Sequence, residues 1–209
     1  MTASLHFLLR FVAASSLGMG LWLWCGVDYL GLVTPAVNIL ALWLDAPFQL
    51  MLEGERVLYA YYPVEGRSFR VMATGQESIY LNLVPFGAVF AAIPGRSASW
   101  RLGWAGVALG LLWMSHISSF YVGGHVALWQ FAQSGPQALS LAQPLAPWLP
   151  ASRGQLYLDV LRTWNLWGRY GLCVLMWIVA NAQPVPSTVS VVRPAVWRLR
   201  HWTLRPSTT

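Results

Sequence analysis

Apolar residues along the 209-residue chain gather into long blocks separated by short polar stretches, and several blocks have the length needed to cross a bilayer. The first block covers 11–33 and opens with the uncharged stretch 11–27, preceded by Arg10. A secretory signal is the competing reading there, but the stretch is long for one and no convincing small-residue cleavage motif follows it. The second block, 78–94, would be about 25 Å long as a helix, just enough for a hydrocarbon core, with Pro85 expected to kink it. The third covers 102–128, and its apolar character continues to Ala132. The fourth, 156–182, is polar in its first half. The pattern predicts an all-α integral membrane protein with about four transmembrane helices in one polytopic domain, 1–182.

Two connecting segments break the helical period. Residues 36–77 form an expected outside insertion: 36–52 mixes Asn38, Asp45, Pro47 and Gln49 with Leu, Trp and Phe, which suits a helix lying in the membrane interface. Next come two aromatic and β-branched runs, 56–62 and 67–73, joined through Glu65 and Gly66, which read as a β-hairpin. The outside loop 133–154 holds Pro136, Pro144, Pro147 and Pro150 and is expected to be irregular, with one short interfacial turn near Trp148. No internal repeat is found.

Composition agrees with this reading and narrows it. Only 10% of the residues are charged and 56% are hydrophobic, against about 25% charge in a soluble domain. A soluble enzyme, a disordered tail and a disulfide-stapled secreted domain are therefore excluded. All 13 cationic side chains are Arg, and six of the seven acids precede residue 78. If the tail 183–209, with Arg193, Arg198, Arg200 and Arg205, is cytoplasmic, four passes put Arg10, Arg96 and Arg101 on that side too. The acids then all fall on the outer side or at the outer end of a span. The expected location is the bacterial plasma (inner) membrane with both termini cytoplasmic. This distribution accounts for a pI near 9.8 without nucleic acid, which is not an expected partner. Most of the 13 Trp lie near proposed boundaries, as an interfacial aromatic belt requires.

Candidate chemistry is sparse. His116 and His125 in the third span are candidate cofactor ligands, but nine residues at 100° each put them on opposite faces of a straight helix. The plainer reading is that either bonds a Ser or Tyr across a helix interface, with Ser115, Ser118, Ser119 and Tyr121 close by. In the fourth span Asp159, Arg162, Asn165, Arg169 and Cys173 recur at three- and four-residue intervals, which on a straight helix makes one polar seam. Asp159 could pair with Arg162, leaving Arg169 in the outer half of the bilayer in need of a partner, unless both arginines snorkel to the headgroups. Cys25 and Cys173 lack metal-ligand or disulfide spacing and read as small buried residues. No nucleotide, zinc-protease or serine-hydrolase motif occurs, and neither a metal nor a cofactor is predicted.

The run from Ser78 through Asn82, Pro85 and Phe86 to Pro94, the short basic turn from Arg96 to Arg101, and the long helix that begins Leu102-Gly103-Trp104 resemble the core helical hairpin of the exosortase and archaeosortase membrane proteins. The preceding β-like segment also resembles that group, so the likeness covers about residues 50–125. It implies a membrane scaffold related to transpeptidases that use a Cys near the outer end of the second span, with Arg and His on later helices. Here that end offers Ser78 and Tyr80 and no Cys, and the third span reads His116-Ile117-Ser118-Ser119 where the family has Asn-x-x-Arg. The departures argue against thiol chemistry and for an accessory relative.

Three functions follow from different classes. The leading expectation is a noncatalytic multi-pass accessory protein or complex subunit, possible in exosortase-type protein sorting, with the lipid bilayer and a membrane-protein partner or second copy as its partners and Asp159, Arg162, Asn165 and Arg169 as the seam. A divergent membrane-embedded protease or transpeptidase would use His125, Arg162 and Arg169. A pigment- or cofactor-binding subunit of an electron-transfer complex would use His116 or His125.

Overall fold

The computed structural model describes residues 3–54, 56–64, 67–73, 83–149 and 154–182. The Glu65-Gly66 turn, the start of the second expected span with Ser78 and Tyr80, Pro150 and the basic tail 183–209 lie outside the described residues, as does the side chain of Cys25. The fold is mostly helical with one small sheet. In chain order come α1 (Ala3–Trp43), β1 (Phe48–Glu53), β2 (Arg56–Val64), β3 (Arg67–Met72), α2 (Leu83–Ala92), α3 (Ala98–Gln133) and α4 (Pro136–Ala142). A 3-10 turn (Gln143–Trp148), α5 (Gly154–Thr163), a π-helical turn (Trp164–Gly168) and α6 (Arg169–Ala182) complete it.

Two helices are long and apolar enough to cross a membrane, Ser4–Trp24 within α1 and Ala98–Gln133; Asp28–Trp43 and Leu83–Ala92 are apolar but shorter. The four expected spans are thus matched by two helices of sufficient length. The second is only the ten-residue α2 among the described residues, and the fourth is divided by the π turn.

α1 does not stop near residue 33 but continues as one helix to Trp43, so the separate interfacial helix expected over 36–52 is replaced by the end of α1 and a strand. Pro35 costs α1 one backbone hydrogen bond without ending it. The stop comes at Asp45, whose φ of 52° is left-handed, a state that Asp tolerates better than most residues. The Ala46 amide there donates to Ala41 O and the Asp45 amide to Leu42 O, which is the Schellman arrangement.

The expected hairpin is present as β2 and β3, and β1 adds a third antiparallel strand in the order β1-β2-β3. A register shift between Tyr61 and Val64 accommodates Pro63, which cannot donate to a ladder. Phe48, Leu50, Val57, Tyr59 and Tyr61 face inward and pack on Val33, Val37 and Ala41 of α1 and on Phe120 and Leu128 of α3. The loop 133–154 is more ordered than its prolines suggest. Pro136 opens α4, where its missing amide is no loss, and Pro144 and Pro147 lie in the 3-10 turn.

A second core lies at the other end of α3. Phe86, Phe90, Ala108, Leu112, Cys173, Met176 and Ala180 form it, with Phe7, Trp100 and Trp104 packed around it. The α2–α3 turn that sets this packing uses Gly95 at φ 76° and Ser97, whose hydroxyl accepts from the Trp100 amide at 3.2 Å. The Arg96 guanidinium lies 4.8 Å over the Trp100 ring.

Candidate functional site

Between the two cores α3 presents three buried polar residues, Ser115, His116 and Ser119. Positions i and i+4 share one helix face, so Ser115 and Ser119 point together, while His116 turns toward α1. There the Tyr29 hydroxyl and His116 Nδ1 form a short hydrogen bond between α1 and α3. This is the cross-helix role considered for the histidines, with Tyr29 as a partner whose place 87 positions away gave no local signal.

Opposite the two serines lies Arg169, completely buried. Its Nη2 donates to Ser119 Oγ at 2.8 Å and its Nε to Ser115 Oγ at 3.4 Å. Ser119 Oγ in turn donates to Asn165 Oδ1 at 3.4 Å, and the Trp164 indole donates to Ser115 Oγ at 2.7 Å. Arg169 Nη1 is buried with no hydrogen-bond partner. The single ion pair among the described residues, Arg70 with Glu53, is on the exposed sheet, so no carboxylate of the described residues neutralises Arg169. A buried guanidinium held only by neutral oxygens is an unbalanced charge, and such groups mark functional sites more often than stable packing.

The seam read on a straight helix is divided. Asn165, Arg169 and Cys173 turn inward or partly inward, whereas Asp159 and Arg162 are exposed and do not pair; Asp159 accepts from Gln155 Nε2 at 2.9 Å. The cause is the π turn, in which the Arg169 amide bonds Trp164 O five residues back. One extra residue in the turn rotates everything before it, so the half-buried Leu158 and Leu161 take the inner face.

His125, Arg162 and Arg169 are not brought together. His125 sits among aromatic rings, with centroids 5.5 Å from Phe48, 5.1 Å from Tyr121 and 6.4 Å from Trp148, roughly 9 Å along α3 from Ser119 at 1.5 Å per residue. Among the described residues no group of three or more His, Cys, Asp or Glu side chains is placed to hold a metal.

Trp164 was not singled out by sequence reasoning, yet it joins the buried site to the surface. With Asp159, Val160, Thr163 and Gly168 it lines a shallow groove of about 330 Å³. Its ring sits over Gly168, where an added Cβ would come within 2.2 Å of Cε3. Only glycine permits that seat. The one local signal was a Trp four residues before a Gly.

Compared with known proteins, the chain matches no family model, no curated protein and no solved structure.

Proposed function

We propose that the chain is a noncatalytic multi-pass subunit or accessory protein of the bacterial inner membrane, with both termini cytoplasmic, and that it docks a membrane-protein partner through the outer half of α1. In this reading α1 and α3 cross the bilayer, and 78–94 and 156–182 complete four passes. The first pass, 11–33, is about 34 Å long at 1.5 Å per residue, enough for a hydrocarbon core, with Arg10 at its cytoplasmic end. No residue of 11–24 is buried, and apolar side chains such as Val12 and Leu23 are exposed, as lipid contact requires. The 36 residues of α3 rise about 54 Å, so α3 overhangs the bilayer, and the sheet packs on that overhang.

The observation that carries the proposal is a ridge on α1 above the span. Ile39, Leu42 and Trp43 recur at helical spacing on the side away from the sheet, and Leu42 and Trp43 are 84% and 87% exposed. Beyond the hydrocarbon such a ridge is an unmet apolar surface of the kind that marks a protein interface. The resemblance of residues 50–125 to exosortases suggests the setting, a membrane protein-sorting system in which the partner is the enzyme.

Purification of the full chain from its native membrane in mild detergent tests this. A companion membrane protein should co-purify and should be lost on Leu42→Asp or Trp43→Asp while the variant stays in the membrane fraction. A lone monomer under gentle extraction, or an unchanged companion with both variants, would sink the reading.

A further inference from the structure

We propose that Arg169, Ser115 and Ser119 form a buried phosphate-binding site whose entrance is the groove beside Trp164. This goes beyond the partner reading and does not depend on the α1 ridge. Arg169 Nη1 is buried and unpartnered, and the two serine hydroxyls that accept from the rest of the guanidinium can rotate their own protons toward a further acceptor. No acid of the described residues lies among them, and the nearest acid on the groove, Asp159, is exposed and turned to Gln155. A guanidinium flanked by hydroxyls matches a phosphate, which offers several acceptor oxygens and the missing negative charge. A water molecule at Nη1 would satisfy the hydrogen bond but leave the charge unbalanced, whereas a phosphate satisfies both.

Access follows from the π turn. Trp164 is 39% exposed and lines the groove, while its indole N–H reaches Ser115, the serine that accepts from Arg169 Nε. Movement of its ring is the route we assign from the groove to the arginine, and the turn that carries it belongs to a helical irregularity common at functional sites. The groove walls offer Val160 and Trp164 to an apolar chain, so a lipid-borne phosphate fits the entrance, while a free phosphate needs only the inner donors.

The test is the thermal midpoint of the purified full chain in a neutral detergent with octyl phosphate, with inorganic phosphate, and with octanol as the uncharged control. At a ligand concentration about a hundred times the dissociation constant, the folding equilibrium should shift about a hundredfold. Wild type and Arg162→Gln should respond to a phosphate probe, and Arg169→Met should not. Replacing a buried unpaired charge by a similar-sized apolar residue is generally tolerated, so that variant should fold. Ser119→Asp keeps the arginine and supplies an internal anion; it should be more stable than wild type without ligand and should also ignore the probes. A response to octyl phosphate alone identifies a lipid headgroup as the occupant, and an equal response to inorganic phosphate identifies a free anion. No response to either probe, or one that persists in Arg169→Met or Ser119→Asp, overturns the site.

Discussion

Phe48 of β1 lies directly against Gly124 of α3: a Cβ added to the glycine would come within 2.4 Å of the Phe48 Cζ. The sheet is thereby pressed onto the helix closely enough for Tyr61 Oη to donate to Gly124 O at 2.5 Å and Tyr59 Oη to Phe120 O at 2.9 Å. Gly124→Ala should therefore separate sheet and helix. Overpacking of this kind costs about 1–3 kcal/mol, which outweighs the helix-propensity gain of up to about 1 kcal/mol from removing a glycine. Gly110→Ala on the same helix meets nothing within 4 Å and should show that gain alone. Thermal unfolding in detergent should move the two midpoints in opposite directions.

Asn38 is the second clasp. Its Oδ1 accepts from the Leu50 amide at 2.6 Å and its Nδ2 donates to Leu50 O at 2.9 Å, so one side chain satisfies both backbone polar groups of Leu50. Asn38→Ala leaves both groups unpaired and should destabilise the protein by about 1–3 kcal/mol. Asn38→Asp keeps the acceptor but faces Leu50 O with a second acceptor, and should recover only part of that loss. Hydrogen exchange at the Leu50 amide reads the effect at its source.

These two contacts show why the sheet end of the fold was only partly legible in the sequence. The aromatic and β-branched content of 56–62 and 67–73, with Glu65 and Gly66 between them, marks β2 and β3. β1 carries no such mark: Phe48-Gln49-Leu50-Met51-Leu52 is a short apolar run that a helix or a strand accommodates equally, and only Asn38 and the Tyr59–Tyr61 face decide between them. The reach of α1 past Pro35 was hidden because proline, Asn38 and Asp45 are ordinary breakers, and the helix is maintained there by packing of Val33, Val37 and Ala41 on the sheet. Of the site, Arg169 was visible as a charge in an apolar block. Its partners were not, because Ser115, Ser119 and Trp164 are unremarkable residue types until α3 and the π turn face each other.

Tyr61 gives the sheet a pH dependence. Burial, reinforced by the neighbouring Tyr59 hydroxyl, raises its phenol well above the ordinary value of 10.0. The uncharged form is thus favoured in the folded state. Its contribution is fully present below the unfolded value of about 10 and is lost as pH rises through the raised folded value. Wild-type stability should fall with increasing pH above about 10, whereas Tyr61→Phe, lacking the proton, should show a shallower decline. At neutral pH the same variant should be less stable by about 0.5–1.5 kcal/mol through loss of the bond to Gly124. Equal slopes for the two proteins in unfolding midpoints from pH 8 to pH 11 would refute this assignment.

The phase shift at the π turn makes a prediction opposite to that of a straight helix. Were the same sequence an unbroken α-helix, Arg162, seven residues before Arg169, would lie above it on the inner face; with the π turn Leu161 does, its Cδ2 lying 4.0 Å from the position of a Cβ on Gly123 of α3. Leu161→Arg should then bury an unpaired charge and destabilise the protein by roughly 3 kcal/mol, while Arg162→Leu should change stability by less than about 0.5 kcal/mol. Deleting Leu166 removes the extra residue but leaves Leu161 seven positions before Arg169, so a regular α-helix then keeps Leu158 and Leu161 inward and Asp159 and Arg162 exposed. That deletion should therefore be far less damaging than Leu161→Arg. If Arg162→Leu proves the more costly of the two substitutions, the helix is continuous through Trp164–Gly168 and the inward face is the one its spacing suggests.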